Sequence, residues 1–433
     1  MNDTPSTARV PNARALAARV LSRVITDRAF AASVLDTEIA RHPQLEARDR
    51  ALLTELVYGV LRTRGALKAR LLALAPRGIR DSKTELHLWV AAYQVLMLDR
   101  VPAFAAVNAA VDLIRAERGP QMAGFANAVL RRLAQSTERP SIEQALRETV
   151  PSWLLERLSQ AVGEEEALGA LGAGGTEPCV GVRLVSGHAV PEWLADEPAG
   201  VMPRTRRLQR KGDPRSRAGY AEGSFVVQEE GAQLVGTLLG ARAGERVLDA
   251  CAGRGQKSSL LAEQVGPSGA VFATDVFPQK LEALCEEFTR LGLPAPETRA
   301  LDWTVGAGDV PQDFDRVLVD APCTGTGTLR HRPEILDRLG PQDPARLGEL
   351  ATRILRGAAS RAKPGGRVVF AVCSLLREEC EDTVARVADL LDPVPFDAPE
   401  LGSWLPSGQT ALRLLPLKHG TDGYFVASLR RKP

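Results

Sequence analysis

Two cysteines stand just beyond apolar runs that read as β-strands. Cys323 lies in Asp320-Ala-Pro-Cys-Thr-Gly-Thr-Gly327 behind the run 317–319, and Cys373 opens Cys373-Ser-Leu-Leu376 behind the run 368–372. A glycine turn, Asp249-Ala-Cys-Ala-Gly-Arg-Gly255, closes a further strand. In an open parallel sheet, ligands bind beyond the carboxyl ends of the strands. The pattern therefore aims two thiols and several carboxylates at one crevice. Thiols in Gly/Pro/Ser-rich turns suit covalent catalysis better than packing.

The turn speaks for a nucleoside ligand. Gly253 and Gly255 can adopt backbone angles that let a ligand approach closely. The following helix, from about Lys257, presents its N-terminus there. Asp275 ends the next strand at the distance expected of a carboxylate that holds ribose hydroxyls, and Asp302 is a candidate to hold the base. Ser258 replaces the third glycine of a dinucleotide fingerprint, so no pyrophosphate cradle is expected. S-adenosylmethionine is a cofactor of the kind that remains.

The thiols then suggest a pyrimidine. Carbon 5 of cytosine is a poor nucleophile until a thiolate adds to C6, after which it can attack a sulfonium methyl. Such a reaction needs a thiolate, a group that hydrogen-bonds the ring as its charge shifts, and a way to lose the C5 proton. Asp320 suits the second role, and a second cysteine suits proton removal or release. The residues alone do not choose between Cys323 and Cys373 as nucleophile. Cys251, Cys179, Cys285 and Cys380 read as packing residues. His331 reads as part of a solvated basic loop, and the acidic run 378–382 as the start of a helix, where negative charge suits the dipole.

The elements that carry these residues follow from the rest of the chain. Its 433 residues suffice for two or three domains; 44% apolar and 25% charged residues suit an ordinary soluble fold. A net charge of +2 leaves no global basic field to announce nucleic acid. The six cysteines form no C-x-x-C pair and no histidine cluster accompanies them, so neither a structural zinc nor another metal is expected. There is no apolar signal core and no membrane span, which makes the cytoplasm the expectation. Residues from about 11 to 134 carry helical periodicity and read as a bundle. Beyond Val150 the texture changes: Ser152 is placed to cap a short helix, residues 180–185 read as a strand, and residues 203–217 hold seven basic residues against the single acid Asp213. After Gln228, strands expected at 246–249, 271–275, 316–320 and 367–372 alternate with helices. The end, strand 411–417, a loop to Gly423 and strand 424–430, is a hairpin foreign to a plain dinucleotide fold. Three parts result: a helical bundle over 1–145, a small α+β connecting domain over 146–235, and an α/β domain over 236–433.

The two cysteine motifs, with Glu378-Glu379, resemble the RNA cytosine-C5 methyltransferase family; the turn through Lys257 resembles its cofactor turn, and Asp422-Gly-Tyr-Phe425 its closing hairpin. Val107-Asn-Ala-Ala-Val111 and Phe125-Ala-Asn-Ala-Val-Leu-Arg131 are similar to the NusB RNA-binding fold, which joined to this catalytic domain resembles the Sun/RsmB branch. The resemblance implies a multidomain chain: an all-α NusB-like bundle, the connecting domain, and a C-terminal Rossmann-like class I methyltransferase with a seven-stranded sheet whose last two strands are antiparallel. It implies that Cys251, Ala252, Gly253, Arg254, Gly255, Gln256, Lys257, Asp275, Asp302 and Asp320 line an S-adenosylmethionine site. It implies Cys373 as nucleophile, Cys323 as the assisting or releasing thiol, and Asp320 beside them. It departs from the family at Arg254 and Gln256, where Pro and Gly are common. The implied partner is small-subunit (16S) ribosomal RNA, met by a monomer without a membrane.

For holding RNA, the run 204–217 with Arg330 and Arg332 supplies the candidate phosphate contacts, and the base must be unstacked to reach a thiol. Trp303 and Phe370 are candidates to pack near that base or to sit in the core. Two other readings stay open: the same chemistry on tRNA, another RNA or DNA, and a non-catalytic RNA-binding or assembly factor.

Overall fold

The computed structural model describes residues 12–136, 138–173, 180–202, 204–209 and 212–433. Pro11, Cys179, Arg210 and Lys211, on which readings above fall, lie outside the described residues. The chain forms two compact units, the first comprising Met1–Glu156, Ala167–Gly175 and Leu329–Arg338, the second the remainder.

The first unit holds α1 (Ala13–Thr26), α2 (Ala31–Arg41), α3 (Ala47–Leu74), α4 (Ser82–Met97), α5 (Ala103–Arg118), α6 (Pro120–Gln135) and α7 (Ile142–Thr149). Short polar side chains start several of them: Asn12 accepts from the Arg14 amide, Asp81 from Thr84 and Ser141 from Gln144. Gly119, at φ +85°, turns the chain into α6, and Pro120 opens that helix where no amide proton is needed. One continuous core results, with Leu16 and Leu21 of α1, Leu53 and Leu56 of α3, Leu88 of α4 and Ile114 of α5 fully buried. The segment Leu329–Arg338 belongs to this unit. Glu334 accepts from the Ala31 amide at 3.2 Å, Arg338 donates to the Ala29 carbonyl at 2.6 Å, and Asp337 pairs with Arg64.

The second unit contains two sheets. β1 (Val180–Leu184), β2 (Thr205–Leu208) and β3 (Phe225–Val227) form an antiparallel sheet in the order β2-β1-β3. The larger sheet holds β4 (Arg246–Asp249), β5 (Ala270–Asp275), β6 (Glu297–Ala300), β7 (Phe314–Asp320), β8 (Ala362–Val372), β9 (Leu391–Pro393), β10 (Ala411–Leu414) and β11 (Tyr424–Arg431). Its order is β10-β11-β8-β7-β4-β5-β6, with β9 paired to β11. β4 to β8 run parallel, and β10 and β11 form the antiparallel end.

Alternate residues of the central strands enter different cores. Val247, Leu318 and Val369 join one cluster; Leu248, Val317, Val319, Val368 and Phe370 join the other. Both faces of the sheet are covered, which is why these strands read as unbroken apolar runs. The seven expected strands lie along the path, and the three-residue β9 adds an eighth. β10 stops at Leu414, short of Leu417, because Pro416 has no amide proton and opens the short helix Pro416–His419. Ser152 is the first residue of the helix Ser152–Val162 rather than the residue before it. The chain order reverses at β4, flanked by β5 on one side and β7 on the other, so the crevice opens at its carboxyl end.

Candidate active site

The turn after β4 is shaped by its glycines. Gly253 sits at φ +57° and Gly255 at +82°, both left-handed, and a Cβ on Gly255 would come within 2.6 Å of Leu284. The helix Gln256–Val265 starts there. Its second residue, Lys257, donates to Asp320 at the end of β7, Nζ to Oδ2 2.6 Å. Burial alone would lower the Lys257 ammonium, but the Asp320 charge and hydrogen bond raise it overall, with Asp249 and Cys373 adding to the rise. Asp249 is fully buried; burial pushes its carboxyl up to about 6 against the hydrogen bond from Ser258, 2.7 Å away.

The thiols of Cys323 and Cys373 lie 3.3 Å apart. Neighbouring parallel strands β7 and β8 deliver them. The hydrogen bond with Cys373, then burial, raises the Cys323 thiol well above its ordinary value. Either sulfur can donate to the other across this distance.

Glu379 fixes the two loops. Its carboxylate is completely buried and accepts from the Thr324 amide at 2.6 Å, the Thr324 hydroxyl at 2.5 Å and the Ser374 hydroxyl. Burial pushes this carboxyl up to about 7, against the three hydrogen bonds. Sequence reasoning assigned the acidic run a helix-dipole role, yet the helix is Glu381–Ala385 and Glu379 precedes it. The signal available was its adjacency to Cys373-Ser374; the partner Thr324 is 55 residues away in sequence.

The closing hairpin completes the crevice. Gly327 donates to the Cys373 carbonyl at 3.0 Å, and the Gly423 amide donates to the Gly327 carbonyl at 2.8 Å. A Cβ on Gly327 would lie 2.0 Å from the Gly423 oxygen, so two glycine backbones touch where the motifs meet. Tyr424 follows, buried, with the Lys257 ammonium 6.0 Å from its ring centre.

Asp275 ends β5, and its carboxylate accepts from the Gly253 amide at 3.1 Å and the Phe277 amide at 2.9 Å. Cys251, half-buried, has its thiol pushed well up by burial and by Asp249, Asp320 and Asp275. Ala252 is buried and donates its amide to Thr274. Gln256 donates to the Val227 carbonyl at 2.9 Å, and Arg254 is exposed. Asp302 is exposed and spends one oxygen on Thr304, whose hydroxyl and amide hold its carboxyl below the usual range.

The candidate RNA contacts have different surroundings. Arg204 pairs with Glu263 and Arg207 with Glu230, so those members of the basic run neutralise acids of their own unit. Arg217 lies over the Trp193 ring, and Arg215 is exposed. Arg330 is buried in the first unit, while Arg332 is exposed there. Trp303 is core: its indole donates to the Ala250 carbonyl and Thr274 hydroxyl, both at 2.9 Å. Phe370 is completely buried in the sheet.

Residues 236–430 match the family model described as 16S rRNA methyltransferase RsmB/F, and residues 11–135 match the NusB family. The ribosomal RNA small subunit methyltransferase B of Klebsiella pneumoniae is 32% identical over 441 residues, covering 97% of this chain and 98% of that one. The chain belongs to the 16S rRNA methyltransferase RsmB/F family.

The probable ribosomal RNA small subunit methyltransferase B of Synechocystis is 30% identical over 446 residues, covering 97% and 99% of the two chains. The crystal structure of PH0851 shares the fold across 98% of this chain and all of that one, with TM-score 0.80 at 22% identity. A methyltransferase homolog from Pyrococcus horikoshii covers 64% of this chain and 94% of its own at TM-score 0.52 and 26% identity. Membership makes the chain an S-adenosylmethionine-dependent RNA methyltransferase. The crevice fits that donor. Open space faces the Gly253 α-carbon, Oδ1 of Asp249 is buried without a hydrogen bond, and Val276 and Phe277 stay exposed beyond Asp275. Among the described residues no helix is long and apolar enough to cross a membrane.

Proposed function

We propose that the protein methylates C5 of a cytosine in small-subunit (16S) ribosomal RNA, in the cytoplasm, through a transient bond between Cys373 and C6 of the base. The single observation that carries this reading is the 3.3 Å approach of two thiols at the ends of neighbouring strands. Cys373 adds to C6 as the thiolate and leaves C5 electron-rich. Asp320, steadied by Lys257, hydrogen-bonds the ring as charge moves onto it. Bound S-adenosylmethionine supplies the electrophilic methyl group. The C5 proton then passes to water admitted to the crevice, the C–H electron pair re-forms the C5–C6 double bond, and the Cys373 sulfur departs as a thiolate beside Cys323. Cys323 is therefore the releasing thiol.

The donor's ribose suits Asp275, its base lies toward Asp302, Val276 and Phe277, and residues 251–257 line the remainder. On this reading 1–145 is the NusB-like RNA-binding domain, 146–235 the connecting domain and 236–433 the catalytic domain, and the enzyme works as a monomer. The catalytic pair separates the two roles. Cys373→Ala abolishes transfer of labelled methyl groups to 16S rRNA, and full activity in that variant refutes the assignment. Cys323→Ala accumulates an enzyme–RNA adduct that survives denaturing electrophoresis; turnover without any adduct rejects the release role.

A further inference from the structure

The helical unit carries a cavity of about 370 Å³, open on one side. Its wall includes Arg64 and Lys68 of α3, Glu85 and Trp89 of α4, and Asp337. Trp89 is 7% exposed, and its indole N–H has no hydrogen-bond partner. Nη1 of Arg64 is likewise buried without a partner, while its Nη2 is held by Asp337 and its guanidinium lies 5.6 Å from the Trp89 ring centre. An unsatisfied buried donor costs about 1–3 kcal/mol, so an acceptor bound between these two would be favoured.

A second cavity, of about 210 Å³, shares Ile25, Arg64 and Asp337 and adds Arg28 and Arg338. Arg28 has φ +52°, the only non-glycine residue with positive φ among the described residues. Such a backbone costs about 1 kcal/mol or more and concentrates at ligand sites. Among the described residues neither Arg28 nor Lys68 has an ion pair or hydrogen bond, and both are exposed. The wall thus combines unspent N–H donors beside an aromatic ring with free cations where the cavities meet solvent.

The geometry points to a nucleotide-binding site in the helical unit, taking one base beside Trp89 and Arg64 with its phosphates on Lys68 and Arg28. A base brings carbonyl and ring-nitrogen acceptors for the two donors, and N–H groups for Glu85. The volume is within the range of small-ligand pockets. The nucleotide comes either free from solution or extruded from an RNA strand. None of its residues belongs to the methyl-transfer crevice, and the proposal does not rest on that chemistry.

Calorimetry on the full-length protein without methyl donor tests this, using the four 5′-mononucleotides, inorganic phosphate and a short single-stranded RNA. Nucleotide or strand binding is expected, and Trp89→Phe and Lys68→Ala each weaken it at least tenfold with an unchanged melting temperature. Arg28→Gly weakens it too, while melting no lower than the parent because strain is relieved. A strand that binds more tightly than every mononucleotide identifies RNA as the source, and the reverse order identifies a free nucleotide. Inorganic phosphate binding as tightly as any nucleotide overturns the proposal, as does affinity indifferent to all three substitutions. Lys68→Ala, on an exposed side chain, keeps the test decisive if Trp89→Phe does not fold.

Discussion

The crevice at the end of the sheet and the cavity of the helical unit treat buried polarity in opposite ways. In the crevice nearly every charged or polar group is matched within the protein: Lys257 by Asp320, Ser258 by Asp249, and Glu379 by Thr324 and Ser374. In the cavity an indole N–H and a guanidinium nitrogen are unmatched, and two cations at its walls are free. A site that performs chemistry needs its groups fixed before the substrate arrives, because reorganisation during the reaction raises the barrier. A site that only holds a ligand can leave donors waiting. The contrast is one of degree, since Oδ1 of Asp249 in the crevice is also buried without a hydrogen bond.

Substitutions sharpen this contrast in order of expected size. Gly327→Ala forces a methyl group onto the Gly423 carbonyl, and the fold loses about 3 kcal/mol or more together with methyl transfer. Urea titration measures the loss; a wild-type midpoint would show that the two backbones are free to separate.

Glu379→Gln tests the most buried acid. Its folded value of about 7 is raised from 4.5, so its contribution to stability is complete below pH 4.5 and lost as pH rises through 7. That rise corresponds to about 3 kcal/mol. Between pH 5 and 8 the wild type therefore loses stability that the Gln variant retains, and parallel urea curves for the two would reject the assignment. The variant also loses methyl-transfer rate, because an amide cannot accept all three hydrogen bonds.

Lys257→Met leaves Asp320 without its cation. The side chains are 15% and 24% exposed, so the cost is about 2 kcal/mol, less than for a fully buried pair. Methyl transfer falls with it, since the ring loses a positioned carboxylate. The smallest effect belongs to the basic run. Arg204→Ala and Arg207→Ala leave the salt dependence of RNA binding unchanged because both guanidinium groups serve internal acids. A slope that drops by about 0.7 or more for either one would return it to the RNA interface.

What the sequence disclosed follows the range of the interaction concerned. β4, β5, β7 and β8 were visible because burial on both faces demands unbroken apolar runs, and their ends carried the motifs. β6, Glu-Thr-Arg-Ala, has no such run: it lies at the sheet edge with three of its four residues exposed, so pattern reasoning passed over it. The charge of residues 204–217 was plain, but its neutralisation was not, since Glu263 and Glu230 lie 59 and 23 residues onward. Glu379 looked like an ordinary first-turn acid for the same reason. The unpaired donors of Trp89 and Arg64 left no mark in the sequence at all, because what distinguishes them is a missing neighbour.

The stretch Leu329–Arg338 begins one residue after Thr328, in the motif that carries Cys323, and belongs to the helical unit. That unit is therefore assembled from separate lengths of chain, and no single cut yields two self-sufficient pieces. A truncation that keeps only the catalytic half would leave Pro333 and Leu336 stripped of their cover. Any chimera exchanging the N-terminal half must carry a matching decapeptide from the same parent, or it will join a foreign surface to a loop that was shaped for another.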